Sequence, residues 1–533
     1  MRRPSTAAAS GAGVDVILGV DVGTTATKVV AFDPDGREHA SARVGYPLLE
    51  PHPGEAVQDP DVIRGAVTEA VRGAARQAGN AGHRVSGLSF SAAMHTLIGI
   101  GDAGRPLTPS LTWADARAAT QAERLRATHG LELHRRTGTP THPMSPLAKL
   151  VWFREQDPET FAAVRRWVGI KEYILADLCG EWLVDHSVAS ATGLLDLAAL
   201  DWDGEALDVA GIDPARLSRL AATTEVLPRL TPAAAAALGL PAATPVVVGA
   251  SDGALASLGV GAVHGGVASC SIGTSAAIRV MVDRPTVDLS GHLFCYALAP
   301  ERWVVGGAIN NGGLVLRWAR DALAPDLEDE PAVLDIAARA PAGSDGLLML
   351  PYLTGERAPH WDSLSRGAYV GLTRGHRREH LVRAALEGVC LQLALVAESI
   401  RAAGIEVRET RATGGFARSA LWRQILTDAL GMDVDFPSTR EGTSFGAALL
   451  GMDALGMVEN LDVAADLVQA GESHRPEPAS AATYRALLPV FESLHEALVP
   501  AFRTLRDVAQ RPSSASASSA SKSSVPENQV SEN

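Results

Sequence analysis

Cysteine is nearly absent. Cys179, Cys270, Cys295 and Cys390 stand far apart in 533 residues, and no two form a CxxC pair. That excludes a disulfide framework and argues against a zinc site; small buried thiols in a reducing cytoplasm fit best. Long apolar runs are missing as well. No 18-residue stretch is free of charges and turn residues, so no membrane span is expected. Arg2 and Arg3 are followed by small polar residues, so residues 1–14 read as a disordered leader, not a signal peptide. Positive charge is in deficit: 47 Lys and Arg face 61 Asp and Glu, a formal charge of −14. This balance argues against nucleic acid or an anionic membrane as partner. An anionic substrate must then be drawn by local positive groups.

What is present is globular: 46% hydrophobic and 20% charged residues, in a length that suggests two to four domains. An apolar run reaches Asp21, a small-residue corner follows at Val22 to Thr25, and a β-branched run leaves through Val29 and Val30. The pattern predicts strand, tight turn, strand. Without large side chains, the N–H groups of Gly23, Thr24 and Thr25 can approach a polyphosphate, with Lys28 nearby. Asp21 at the mouth could hold hydrated Mg²⁺. An ordinary hairpin with a buried aspartate fits the same residues.

Asp33-Pro34-Asp35-Gly36 predicts a turn, and Asp59-Pro60 predicts a helix start with Asp59 as N-cap. Ile63, Val67, Ala70, Val71 and Ala74 then fall at helical spacing. Strands are expected from Arg84 to Ser91 and from Leu97 to Ile100, giving an α/β layer structure. Residues 110–240 read as more helical and irregular. A Pro/Ala-rich segment up to Pro245 precedes a strand at Val246-Val247-Val248, where we place a domain boundary. The expected division is 15–248 and 249–508, with a disordered Ser-rich tail over 509–533.

The second half repeats the first. Ile272-Gly273-Thr274-Ser275-Ala276-Ala277 matches Val22 to Thr27 position by position, with Ser271 in place of Asp21. Two such hairpins predict duplicated domains facing across a cleft, of which only one carries a metal carboxylate. Further on, Thr413-Gly414-Gly415 to Ser419 joins a strand to a helix start, an arrangement suited to a nucleotide. Asp252, just after the predicted buried strand, could take the proton of an attacking hydroxyl or could cap a helix. Met94, His95, Trp113 and Asp115 could bind hydroxyls and stack on a carbon chain, though each also fits a packed core. Lys171 is a candidate for an acidic group on the substrate, or a solvated helix residue.

Two long segments then resemble the signatures of the FGGY family of carbohydrate kinases: Met144-Ser145-Pro146-Leu147-Ala148-Lys149 through Gln156, and Gly367-Ala368-Tyr369-Val370-Gly371-Leu372 through Glu387. The resemblance spans about residues 15–505. It implies an α/β fold of two actin/Hsp70-like (ribonuclease H-like) ATPase domains flanking a catalytic cleft. Ser89 to His95, Thr112 to Asp115, His142 to Lys149, Gly169 to Tyr173 and Gly307 to Gly313 are most similar to the gluconate-phosphorylating members. Pentulose kinases share Met94-His95 and Asp252 but diverge in the other segments, and glycerol kinases carry a different pair at Met94-His95.

By that resemblance Asp252 is the general base and Asp21 orients Mg²⁺ through water. Thr24, Thr25 and Lys28 line the first phosphate loop, Gly273 and Thr274 the second. Gly313 and Arg317 flank ATP, with Gly414, Gly415 and Ser419 near its adenosine. Met94, His95, Trp113, Asp115 and Met144 face the sugar acid. Ala26 stands where many relatives carry Ser, which tunes affinity without abolishing it. The implied activity is cytoplasmic ATP-dependent phosphorylation of gluconate at its terminal hydroxyl. The alternatives are a xylulose-type kinase of another sugar or polyol, or an actin/Hsp70-like ATPase switch. Partners are expected to be small molecules, with no nucleic acid or membrane; the oligomeric state is not given, and a homodimer is compatible.

Overall fold

The computed structural model describes residues 13–437, 442–469 and 471–509. Most of the expected leader and tail therefore lies outside the described residues. The first hairpin forms as expected: β1 (Asp15–Val22) pairs antiparallel with β2 (Ala26–Phe32). Side chains on a strand alternate between faces, and β1 and β2 use both. Val16, Leu18, Val20, Val29 and Ala31 enter one core. Ile17, Val30 and Phe32 enter another, shared with the second half of the chain. The hairpin is thus buried on both sides, as its nearly continuous apolar text requires.

Four more strands complete the first sheet: β3 (Glu38–Gly45), β4 (Arg84–Ala92), β5 (Val226–Leu227) and β6 (Val246–Ser251). Their order is β5-β6-β4-β1-β2-β3. The second sheet holds β7 (Val267–Ile272), β8 (Ala276–Val282), β9 (Phe294–Ala299), β10 (Arg302–Ile309), β11 (Glu409–Thr413), β12 (Val434–Phe436) and β13 (Glu472–His474). Its order is β9-β10-β8-β7-β11-β12-β13. Remove β9 and the two sheets match in spatial order and in direction of pairing, although the antiparallel edge strand precedes its neighbour along the chain in the first (β5, β6) and follows it in the second (β12, β13). The repeat read from two short loops is therefore a duplication of the whole layer. The boundary expected at 248/249 falls inside β6, which belongs to the first sheet along its full length.

The duplicated hairpins differ by one residue. Val22 pairs with Thr27 in the first, whereas Ile272 pairs with Ala276 in the second. Identical-looking loop text thus closes in two registers.

Helices cover the sheets. α1 (Pro60–Asn80) starts where predicted: Asp59 accepts from the N–H groups of Asp61 and Val62, with Pro60 in the first turn. Four other helices carry residues discussed below: α2 (Pro146–Gln156), α3 (Ile170–Cys179), α4 (Asp252–Gly259) and α5 (Gly313–Leu323). α6 (Arg378–Ala402) is long and apolar enough to cross a membrane, but its apolar window is packed in the core. α7 (Gly442–Ala454) follows β12 of the second sheet yet packs on β1, β2 and β4 of the first. It also crosses α4 closely, because a Cβ on Gly446 would lie 2.2 Å from the Leu255 carbonyl oxygen. These two helices lock the layers together at the floor of the cleft. Phe445 on α7 meets Phe32 with ring centroids 5.0 Å apart. All four cysteines are unpaired, and Cys270, Cys295 and Cys390 are buried.

Candidate active site

Three parallel strands end side by side. Val22 of β1, Ala92 of β4 and Ser251 of β6 are in lateral register. The carboxyl ends of such strands are where open α/β sheets bind ligands. Asp21 precedes the end of β1, Met94 and His95 follow β4, and Asp252 follows β6. Sequence segments far apart thus converge on one edge.

This edge opens on a cleft of about 1480 Å³ between the two layers. Thr24 and Thr25 line it from the first hairpin, and Thr274, Ser275 and Ala277 line it from the second. Gly414 and Gly415 close the far wall. Gly414 has φ +118°, and a Cβ there would sit 2.2 Å from the Ile272 carbonyl oxygen, so only glycine lets this turn pass the end of β7. Gly273 accepts from the Gly313 N–H at 2.7 Å, and Arg317 reaches the Thr274 hydroxyl at 3.4 Å. Both α5 residues therefore brace the second hairpin from behind. Ser419 caps the next helix, accepting from the Trp422 N–H at 3.2 Å. Asp21 accepts from the Ser91 hydroxyl at 3.0 Å and lies opposite Lys28 in the β1–β2 ladder.

Asp252 is the first residue of α4, with Ser251 as the N-cap, and it lines the cleft. Burial pushes its carboxyl above the usual aspartate range; the Gly253 N–H at 2.7 Å and the Arg279 charge pull the other way. A carboxyl with a raised pKa is a better proton acceptor than an exposed aspartate.

The sugar-side residues behave differently from one another. His95 is buried at φ 66°, and its Nδ1 meets the Ala191 carbonyl at 2.8 Å. Burial, with the Lys149 and Arg357 charges, holds its pKa at about 3. The ring is thus neutral; Nδ1 donates to that carbonyl, and Nε2 is left as an acceptor. Trp113 donates its indole N–H to the Thr24 hydroxyl at 3.0 Å, coupling the sugar side to the first phosphate loop. Met94 and Met144 line the cleft.

Asp115 lines the cleft but offers it no open lone pair. Its carboxylate already accepts from the Ala56 N–H, the Arg117 N–H, and Nε and Nη2 of Arg117. It organises a loop instead of accepting from a substrate hydroxyl, contrary to the expectation from the sequence. Lys171 is corrected more sharply. It is buried away from the cleft, paired with Asp185 at 2.6 Å and donating to the Ala250 carbonyl at 3.1 Å. A lysine already neutralised beneath β6 cannot take a substrate carboxylate.

Other groups at the site were not anticipated. Lys149 of α2, fully buried, donates to the carbonyls of His95 at 2.6 Å and Thr112 at 2.7 Å. It ties together the backbones that present His95 and Trp113. Its signal was available: lysine occurs only at positions 28, 149, 171 and 522, against many arginines. Tyr296, His142, Arg279 and Arg357 also line the cleft. Among the described residues, the Tyr296 hydroxyl, His142 Nε2 and Arg357 Nε are buried without a partner. Buried polar groups are almost always hydrogen-bonded, so this cluster marks a place for a ligand rich in oxygen. Arg279 had a local signal, a charge in the otherwise apolar strand β8.

The comparisons agree with this geometry. Residues 16–259 match the N-terminal domain of the FGGY family of carbohydrate kinases, and residues 268–455 match its C-terminal domain. A gluconokinase of Bacillus subtilis (strain 168) is 42% identical over 502 residues, covering 92% of this chain and 98% of the relative. A gluconate kinase structure from Lactobacillus acidophilus has a TM-score of 0.88 at 36% identity, covering 92% of this chain and 99% of that one. A ligand-bound xylulose kinase structure from Lactobacillus acidophilus also has a TM-score of 0.88, at 37% identity, covering 92% and 100%. With two duplicated layers, paired hairpins and an aspartate at the strand edge between them, the chain belongs to the FGGY family of carbohydrate kinases.

Proposed function

We propose that the protein transfers the γ-phosphoryl group of ATP to the terminal hydroxyl of D-gluconate, giving 6-phosphogluconate and ADP. The observation that carries the reading is Asp252, a buried carboxylate at the strand edge between two N–H-rich hairpins. Likeness to the Bacillus subtilis gluconokinase over nearly the whole chain supports the choice of substrate.

An alcohol is a weak nucleophile at neutral pH. Asp252 accepts the proton of the C6 hydroxyl as its oxygen bonds to the γ-phosphorus and the bond from phosphorus to ADP breaks. Such transfer is mostly positioning and charge stabilisation. The hairpin N–H groups face the charge on the phosphates, with Lys28 and Arg317 adding positive charge from behind the two hairpins. His95, Trp113, Met94, Met144 and Tyr296 shape the pocket for the carbon chain. Approach of the two layers across the cleft excludes water and suppresses hydrolysis of ATP.

Mg²⁺ fits the donor set. Among the described residues no cluster of three metal-ligating side chains exists, and Mg²⁺ on phosphates needs only one or two protein carboxylates with water. Asp21, with Asp252 nearby, would hold it, and the ion would neutralise phosphate charge. We place the enzyme in the cytoplasm.

A coupled ADP-release assay across gluconate, xylulose, ribulose and glycerol tests the reading. Turnover should be greatest with gluconate. Preference for xylulose would favour the second reading, which rests on the equally similar xylulose kinase structure. ADP release indifferent to any sugar would mark an ATPase switch.

A further inference from the structure

We propose that Arg279 and Arg357 together form the subsite that takes the carboxylate of the substrate. This rests on the sugar-acid reading above and supplies the recognition that Lys171 cannot.

Both guanidinium groups line the cleft, and neither has an ion pair among the described residues. Arg357 is 7% exposed. Its Nη2 donates to the Ile309 carbonyl at 3.0 Å, its Nε is buried without a partner, and its Nη1 makes no hydrogen bond among the described residues. Its guanidinium lies 4.9 Å from the ring centroid of Trp113, on the sugar side. The adjacent Glu356 does not neutralise it by contact. That carboxylate is spent on the N–H groups of Asn310 and Arg357 and on the Asn311 amide. Arg279 reaches only the Ser271 hydroxyl, at 3.4 Å.

The two guanidinium groups sit on different sides of the base: Arg279 packs beside Asp252, where a Cβ on Gly253 would lie 3.4 Å from its Nη2, and Arg357 lies over Trp113. β8 leaves the second hairpin at Ala276 and runs inward to Arg279, about 10 Å at the usual rise of a strand. The hairpin tip, braced by Arg317, is the nucleotide side. A carbon chain whose terminal hydroxyl meets Asp252 extends away from the phosphates, toward Trp113, Tyr296 and the two arginines.

Two like charges in a half-dry cleft repel each other, and neither makes an ion pair within 4 Å among the described residues, Asp252 and Glu356 acting on them from farther off. Burial lowers the pKa of both; Asp252 opposes this at Arg279, and at Arg357 Glu356 opposes it while the Arg279 charge adds to it. A buried charge without a partner is costly and persists where a ligand supplies the opposite one. A carboxylate matches a planar fork in two parallel hydrogen bonds. A neutral ketose or polyol would leave both arginines unpaired, so the pair also discriminates against such substrates.

The test compares D-gluconate with D-glucitol, which replaces the carboxylate by a hydroxymethyl group, using the full-length chain. Wild type should prefer gluconate. Arg279→Met and Arg357→Met should each lower the gluconate-to-glucitol ratio of kcat/KM by about 10- to 100-fold, the range for a charged hydrogen bond. Arg357→Lys keeps the charge but not the fork and should lose less, which guards against a folding artefact in the Met variant. Calorimetric titration with gluconate alone should show the same order of affinities. A ratio within about threefold of wild type, a loss shared equally by both substrates, or a loss confined to the KM for ATP each overturns the pair. Wild type active on gluconate with an unmoved ratio overturns only the pair; wild type preferring glucitol or xylulose overturns the substrate reading with it.

Discussion

Asp252→Asn separates chemistry from shape. The side chain keeps its size, and its amide oxygen can still accept from the Gly253 N–H, which lies 2.7 Å from Oδ1. What disappears is the proton acceptor. General-base assistance is worth about 10²- to 10⁴-fold, or roughly 3–5 kcal/mol of barrier at 1.36 kcal/mol per decade. Turnover in the coupled assay should fall by that factor, while ATP affinity by calorimetry stays within about threefold. Stability should move the other way. Burial raises the Asp252 carboxyl, so its contribution to stability is complete below the unfolded pKa and is lost as pH rises through the folded one. At neutral pH the ionised side chain therefore costs stability, and the neutral amide removes that cost. The melting temperature should rise by up to a few degrees, less whatever attraction to Arg279 is lost. Turnover within threefold of wild type refutes the base assignment. Near-normal ATP binding with a melting temperature several degrees lower refutes the electrostatic argument.

The acid limb of the kcat/KM profile for gluconate should have its midpoint above the ordinary aspartate range, because activity needs Asp252 ionised. An acid limb near 6.5 that vanishes in His95→Gln would contradict the neutral His95, whose pKa is held at about 3. Lys171→Met should destabilise the fold by about 3–5 kcal/mol, since it strands the buried Asp185; a raised KM for gluconate at unchanged melting temperature would return Lys171 to the substrate. Gly446→Ala should cost about 1–3 kcal/mol, because the methyl meets the Leu255 backbone at 2.2 Å; an unchanged melting temperature would show that α4 and α7 separate easily.

Local physics made much of this legible in the sequence. The first hairpin and the Asp59–Pro60 helix start both rest on neighbouring residues, and each appears where expected. The duplicated loop text and the two long signatures announced a paired-layer kinase, and the Thr24, Thr274 and Gly414 walls meet around one cleft. Asp252 was legible as a carboxylate directly after a buried strand, where a proton acceptor and a helix cap both fit; the structure gives the cap position to Ser251. Other assignments failed for a common cause. Lys171 looks like a surface lysine because its partner, Asp185, lies on another element. Asp115 looks like an open acceptor because its saturation by Ala56 and Arg117 depends on how two loops meet.

The sequence alone determined the family and the duplicated strand-turn-strand units. Those depend on periodicity, turn composition and ordered motifs, which are properties of the chain read along its length. Only the tertiary structure decided the one-residue difference in register between the hairpins, since register is set by pairing to neighbouring strands. It also decided which charges are spent and which are open. Lys149 and Lys171 are consumed by buried carbonyls and a carboxylate, whereas Arg279 and Arg357, 78 positions apart by number, both line the cleft and make no ion pair within 4 Å among the described residues. Whether a buried charge serves the fold or a ligand is settled by what lies within hydrogen-bond reach, and in this chain those neighbours come from remote segments.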